Sequence, residues 1–142
     1  GNAYSGFEEL AESVDQICKD EKGVVWLKGV NDEDLEMLYT RCRLTVFPSI
    51  AEGFGLPILE SLWYGKPCLC ASFGAMEEVA GGGGCVRVDM RYVEAIETGI
   101  RKIALDDRLV ASLEIECSKL KIRTWSDYAA QLGQILGFEA PN

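Results

Sequence analysis

Two glutamates, Glu52 and Glu60, stand with seven residues between them in the stretch PSIAEGFGLPILESLWYGKP (48–67). A pair of carboxylates first suggests acid–base chemistry. The residues between them point elsewhere. Gly53 and Gly55 permit backbone conformations closed to other residues and let a ligand approach the main chain. Pro57 suits the first position of a helix, where its missing N–H costs nothing. The amides of residues 54 to 58, Pro57 excepted, then project from a helix N-terminus, where an anion binds without many cations. Glu60 falls in the first turn of that helix and Glu52 on the loop before it, so the two approach a bound phosphate from different directions. A carboxylate accepts one hydrogen bond per oxygen from a vicinal diol such as that of ribose, which suits a sugar or a nucleotide. Each residue alone has a plainer reading: Glu60 as an acid complementing the helix dipole, Glu52 as a solvated loop residue, Gly-Phe-Gly as a turn. The third glycine of the dinucleotide fingerprint is absent, since Ile58 takes its place.

Such a site needs a strand before the loop and a helix after it, and the flanking pattern predicts both. LTVFPS (44–49) is β-rich and ends at the motif, and Pro57 to Tyr64 follows as a helix. Upstream, Phe7 to Lys19 places Phe7, Leu10, Val14 and Ile17 at helical spacing before a stop at Gly23. VVWLKG (24–29) predicts a strand, and 31–42 a helix capped by Asn31 with acids in its first turn. Downstream come a strand over 66–72, a helical turn over 76–80, a strand over 85–89 and helices over 91–105, 107–122 and 125–136. Strand and helix alternating through short connections define an α/β fold, a Rossmann-like parallel sheet with helices on both faces. Ligands of such sheets bind beyond the carboxyl ends of the strands, where the motif falls. The last three helices have no strand between them, which predicts that they leave the sheet and pack elsewhere. The opening GNAYSGFEEL (1–10) has the composition of a turn following a strand.

Composition narrows the partners. A length of 142 residues fits one domain, and 48% hydrophobic with 26% charged residues is the balance of a soluble globular protein. No apolar run approaches the roughly 20 residues of a membrane span, and no basic-then-apolar leader opens the chain, so a cytoplasmic location is expected. A formal charge of −9 with 14 unclustered basic residues argues against nucleic acid as a partner. Phosphates on a ligand must therefore be met by backbone amides and a few placed cations. Six cysteines and no histidine, with no C-x-x-C pair, predict buried reduced thiols rather than a zinc site; Cys68 and Cys70 would share one strand face. The four glycines 81–84 precede no Gly-Lys-Ser/Thr and predict a plain flexible turn. Trp63 and Tyr64 are expected to pack against the sheet, the alternative being a neighbouring domain or a protein partner.

The string FPSIAEGFGLPILESLWYGKPCLCASFGAMEEVAGGGG resembles the donor-binding core of retaining GT-B glycosyltransferases of family four, also called glycosyl transferases group 1. VVWLKGVNDEDLEMLYTRCRLTVFPS and RTWSDYA (123–129) resemble its flanking segments, so the likeness covers roughly residues 20 to 136. The resemblance implies transfer of a sugar from a UDP- or GDP-linked donor to a saccharide or lipid-linked acceptor with retained anomeric configuration, without a metal or other cofactor. It implies that Glu60 accepts from the ribose hydroxyls and that the Phe54, Gly55 and Leu56 amides, beside Gly53, hold the donor sugar and pyrophosphate. Glu52 would contact the donor sugar near the reacting centre, and Val30 would lie by the nucleobase. It further implies that residues 1–142 form one nucleotide-sugar-binding domain lacking both its first strand–helix unit, which carries an Arg and a Lys for the pyrophosphate, and the N-terminal acceptor domain. Such a piece alone would bind donor weakly and transfer little, and any contact with the inner membrane face would come from parts not present. Two other classes remain open on the residues: a non-catalytic Rossmann-like protein-interaction module and a dinucleotide-binding domain that takes NAD.

Overall fold

The apolar runs and amphipathic stretches alternate along the chain as α1 (Glu8–Asp20), α2 (Asp32–Arg41), β1 (Thr45–Val46), α3 (Leu56–Trp63), β2 (Cys68–Ala71), α4 (Gly74–Val79), β3 (Cys85–Val88), α5 (Val93–Leu105), α6 (Asp107–Lys119) and α7 (Trp125–Leu136). The computed structural model describes residues 6–138, so half of the turn predicted over 1–10 lies outside the described residues. The chain forms two units, Gly1–Leu38 and Tyr39–Asn142.

In the first unit, α1 carries Glu8 and Glu9 in its first turn and Lys19 in its last, each sign at the end the helix dipole favours. The predicted strand over 24–29 is not formed. A strand needs a neighbour to take its N–H and C=O groups, and no ladder pairs this segment with another among the described residues. Val25 is 75% exposed there, so burial does not draw the segment into a sheet either. Lys28 instead pairs with Asp15 (2.9 Å) and lies 4.7 Å above the Trp26 ring. Asn31 caps α2 as expected, its Oδ1 accepting from the Asp34 amide at 2.7 Å.

The second unit holds a three-stranded parallel sheet in the order β1-β2-β3. Thr45 pairs with Cys68 and Cys68 with Cys85, while Leu69 pairs with Val86 and Ala71 with Val88. Because side chains alternate across a strand, this register sorts the sheet into two faces. Leu69, Val86 and Val88 share the face covered by α5, whose Gly99 lies so close that an added Cβ would come 2.6 Å from Leu69 and 3.2 Å from Val88. Thr45, Cys68, Cys70 and Cys85 share the other face, where Ser61 of α3 meets Thr45 through its hydroxyl at 2.7 Å. Cys117 of α6 and Leu62 of α3 both crowd Gly84 on this side. Ile58, Leu69, Met76 and Ile103 are fully buried between these layers.

The closing helices thus correct the expectation that all three leave the sheet. Ile103 of α5 and Val110, Leu113 and Cys117 of α6 are buried in the core, and only α7 has no buried residue. The physical reason is the small side chains at Gly84 and Gly99, which let both helices close on the strands. Asp106 caps α6, and a reciprocal Thr124–Asp127 capping box opens α7.

All six cysteines are free thiols, and Cys68, Cys70 and Cys117 are buried. Hydrogen bonds to Cys68 and Cys70, then burial, hold the Cys85 thiol well above its ordinary range, and burial also raises Cys117. Cys85 and Cys117 therefore pack as protonated, weakly polar groups. The glycine run is no plain flexible turn: Gly84 has φ +76°, and its amide donates to Glu116 Oε2 at 2.7 Å. Trp63 does not pack on the sheet either. Ile58 and Leu62 take the inner side of α3, which leaves Trp63 57% exposed.

Candidate active site

The loop between β1 and α3 is built from its hydrogen bonds upward. Past β1 the chain stays tied to the sheet by the Phe47 amide, which donates to the Leu69 carbonyl at 2.9 Å. Pro48 then releases it, and Ser49 folds it over: the Ser49 hydroxyl donates to Glu52 Oε1 at 2.9 Å, with the Ala51 carbonyl 3.3 Å away. Glu52 is therefore an exposed carboxylate held by a short local bond at the carboxyl end of the sheet.

Gly55 starts the helix. It sits at the N-cap of α3 with φ +89°, a conformation that strains any residue with a Cβ, and a Cβ there would also come 3.3 Å from Ile58 and 3.7 Å from Met76. The helix begins at Leu56, one residue before Pro57. This shifts the predicted geometry in two ways. Glu60 is the fifth helical residue rather than a first-turn acid, and the Ile58 amide is taken by the Gly55 carbonyl at 3.0 Å. Among the described residues, the amides of Phe54, Gly55 and Leu56 donate to no backbone acceptor outside the helix. They are the orphan donors of a helix start, and the dipole favours an anion beside them. Gly53 differs from Gly55: a Cβ there would meet nothing within 4 Å, so packing does not demand glycine.

Glu60 has a partner that the sequence reading missed. The Tyr39 hydroxyl donates to Glu60 Oε2 at 2.9 Å, and the Tyr39 ring stacks on Tyr64 with centroids 5.3 Å apart and planes 9° from parallel. Burial, then the bond to Glu60, pushes the phenol above its ordinary range, so it remains a protonated donor. The available signal was an aromatic near the end of the 31–42 helix, but nothing in that helix alone says that it faces Glu60.

A second missed group lies where β2 and β3 end. Arg91 donates to Asp89 from Nε (2.8 Å) and Nη2 (2.6 Å), and its guanidinium lies 5.1 Å from the centroid of Phe73, the N-cap residue of α4. The Arg91 bonds hold the Asp89 carboxyl below its ordinary range. Six of the seven predicted site residues, Glu52, Gly53, Phe54, Gly55, Leu56 and Glu60, are thus brought onto one loop and one helix. Val30 belongs to the first unit, exposed in the segment between α1 and α2. A concavity of about 630 Å³ between α5 and α6 is lined by none of them. Among the described residues no cluster of acids and cysteines is arranged to hold a metal ion, and no helix is long and apolar enough to cross a membrane.

A parallel sheet with helices on both faces, with a glycine-started helix following the first strand, defines a Rossmann-like α/β domain. Residues 5–119 match the family described as glycosyl transferases group 1, and the chain belongs to that family, as the C-terminal type of domain in a GT-B fold. It is similar to O-antigen chain mannosyltransferase B of Escherichia coli, 39% identical over 108 residues that make up 75% of this chain and 28% of that protein. It is also similar to the serotype-specific mannosyltransferase WbdA of Escherichia coli, 46% identical over 75 residues (48% of this chain, 9% of that protein). A third relative, the MMP alpha-(1->4)-mannosyltransferase of Mycolicibacterium hassiacum, is 38% identical over 61 residues (42% of this chain, 15% of that protein). The chain thus spans between 9% and 28% of the length of these relatives.

Proposed function

We propose that this chain is the donor-binding part of a retaining glycosyltransferase that moves a sugar, mannose in the first instance, from a nucleotide-sugar to a saccharide or lipid-linked acceptor in polysaccharide or glycolipid synthesis. The observation that carries the reading is the start of α3: left-handed Gly55, the Phe54, Gly55 and Leu56 amides, which among the described residues donate to no backbone acceptor outside the helix, and Glu60 on the same helix. The mannosyl assignment rests on the names of the three relatives. In this reading the acceptor is held outside the residues that match the relatives, of which the chain spans 28% in the Escherichia coli case.

In this reading the Phe54, Gly55 and Leu56 amides meet the pyrophosphate, with Gly53 leaving room for the donor. Glu60 accepts from the ribose. As the bond from the anomeric carbon to the diphosphate oxygen breaks, negative charge grows on the leaving group, and amide dipoles already aimed there stabilise it without reorganising. Glu52 orients the sugar while the acceptor hydroxyl forms its bond on the same face. The two carboxylates are not a proton-transfer pair of the hydrolase kind. The reading needs no metal ion, and it places the reaction in the cytoplasm, with any membrane contact made by other parts of the protein.

The stereochemistry is open to direct measurement. Proton NMR of the first product formed from GDP-mannose or UDP-linked sugars and a glycan acceptor should show the anomeric configuration of the donor. An initial product of the opposite configuration refutes retention.

A further inference from the structure

Glu60 is an exposed side chain on a helix surface, and a free glutamate samples many rotamers, an ordering cost that a ligand would have to meet on binding. Here one of its oxygens is already engaged. Tyr39 reaches across from the last turn of α2 and touches α3 twice, one helical turn apart: the hydroxyl donates to Glu60 Oε2 at 2.9 Å, and the ring stacks on Tyr64. Glu60 and Tyr64 are themselves an i, i+4 pair, with the Tyr64 amide donating to the Glu60 carbonyl at 3.1 Å. The ring is thus braced at its face and its tip by the same segment of helix. That helix is anchored in turn by buried Ser61, whose hydroxyl meets Thr45 Oγ1 at 2.7 Å and the Lys66 carbonyl at 2.9 Å. Oε1 of Glu60 has no protein donor among the described residues.

We propose that Tyr39 is a positioning residue for Glu60: its hydroxyl takes one acceptor position of Oε2 and so presents Oε1 and the remaining position of Oε2 in one orientation to the ribose diol of a nucleoside diphosphate. The inference rests on the donor-site reading above and extends it to ligand discrimination. A bond between a phenol and a charged carboxylate belongs to the stronger class of hydrogen bonds, and its geometry is prepaid before the nucleotide arrives. The raised phenol titration range keeps the donor in place throughout the neutral and mildly alkaline range. A consequence is that preference for ribose over deoxyribose depends on a residue that does not touch the nucleotide.

The test compares GDP with 2′-deoxy-GDP and 3′-deoxy-GDP, and UDP with its deoxy forms in parallel, by titration calorimetry on the wild-type protein, Tyr39→Phe, Glu60→Ala and the double variant. Tyr39→Phe keeps the stack on Tyr64, and its thermal melt should coincide with wild type. The expected result is a loss of about fivefold to tenfold in affinity for the ribonucleotide with a smaller loss for the deoxy form, so the ratio between them shrinks. In the Glu60→Ala background the second substitution should have no further effect. A Tyr39→Phe protein that binds ribo and deoxy forms with the wild-type ratio, while Glu60→Ala reduces it, overturns the positioning role and leaves the donor site standing. Unchanged GDP and UDP affinity in Glu60→Ala overturns both.

Discussion

Glu52→Gln should lower the transfer rate by about 10²- to 10³-fold with donor affinity nearly unchanged, the size of effect seen when one placed electrostatic group is removed from a reacting centre. The substitution keeps shape and removes charge. Ser49 still finds an oxygen to donate to, and the side chain is exposed, so neither the loop nor the core has reason to move. In the proposed reading, what is lost is the negative charge beside the sugar at the moment positive charge develops on its anomeric carbon. Steady-state kinetics on the protein check this, kcat falling and KM holding. A variant with nearly full kcat would remove Glu52 from the reacting centre and leave it as the solvated loop residue of the plainer reading.

The second large effect is on stability. Gly84→Ala should destabilise the protein by about 2 to 5 kcal/mol, the sum of a left-handed backbone that alanine resists and an overpacked contact. At φ +76° the added Cβ would come 2.6 Å from Cys117 Sγ and 2.6 Å from Leu62 Cδ2, both in the layer between β3 and helices α3 and α6. Neither neighbour is the free end of a surface chain, since Leu62 is 3% and Cys117 5% exposed. A loss of this size is a large fraction of the stability of an ordinary domain. Urea unfolding monitored by tryptophan fluorescence gives the comparison, with Gly81→Ala as control, because a Cβ at Gly81 meets nothing within 4 Å. Equal midpoints for the two variants would mean that the glycine run is the plain turn its composition suggests.

Gly81 to Gly84 also show where sequence reasoning stops. Four glycines announce a turn, but which of them is needed depends on Cys117, more than thirty residues downstream. Periodicity and stop signals placed most helices to within a few residues, because those signals are local: Asn31 before α2, Gly55 and Pro57 around the start of α3, and the Thr124–Asp127 box. The strand over 24–29 failed for the converse reason. Its β-rich composition is local, but a ladder requires a neighbour, and none pairs with it among the described residues. The closing helices were misjudged because nothing in α5 or α6 announces that Gly99 and Gly84 open space for them against the strands.

The candidate site divides in the same way. The loop and helix start were legible because glycine, proline and two glutamates carry their geometry in consecutive residues. Tyr39 was not, because its bond to Glu60 joins residues 21 positions apart in the sequence. Arg91 and Asp89 escaped notice as an ordinary loop pair, and only the fold sets Arg91 over Phe73 at the strand ends. Charge alone would not have found it in a chain of formal charge −9.

The most direct measurement is a calorimetric titration of the folded protein with GDP, UDP and their mannosyl or glucosyl forms, repeated with Glu60→Ala and with NAD. Saturable binding of one nucleoside diphosphate series, weakened about 10- to 100-fold by Glu60→Ala as expected for a lost hydrogen bond to a charged group, is the result the donor site predicts. Silence at millimolar nucleotide would contradict it and favour a protein-interaction module, and binding of NAD in place of the nucleoside diphosphates would make it a dinucleotide site.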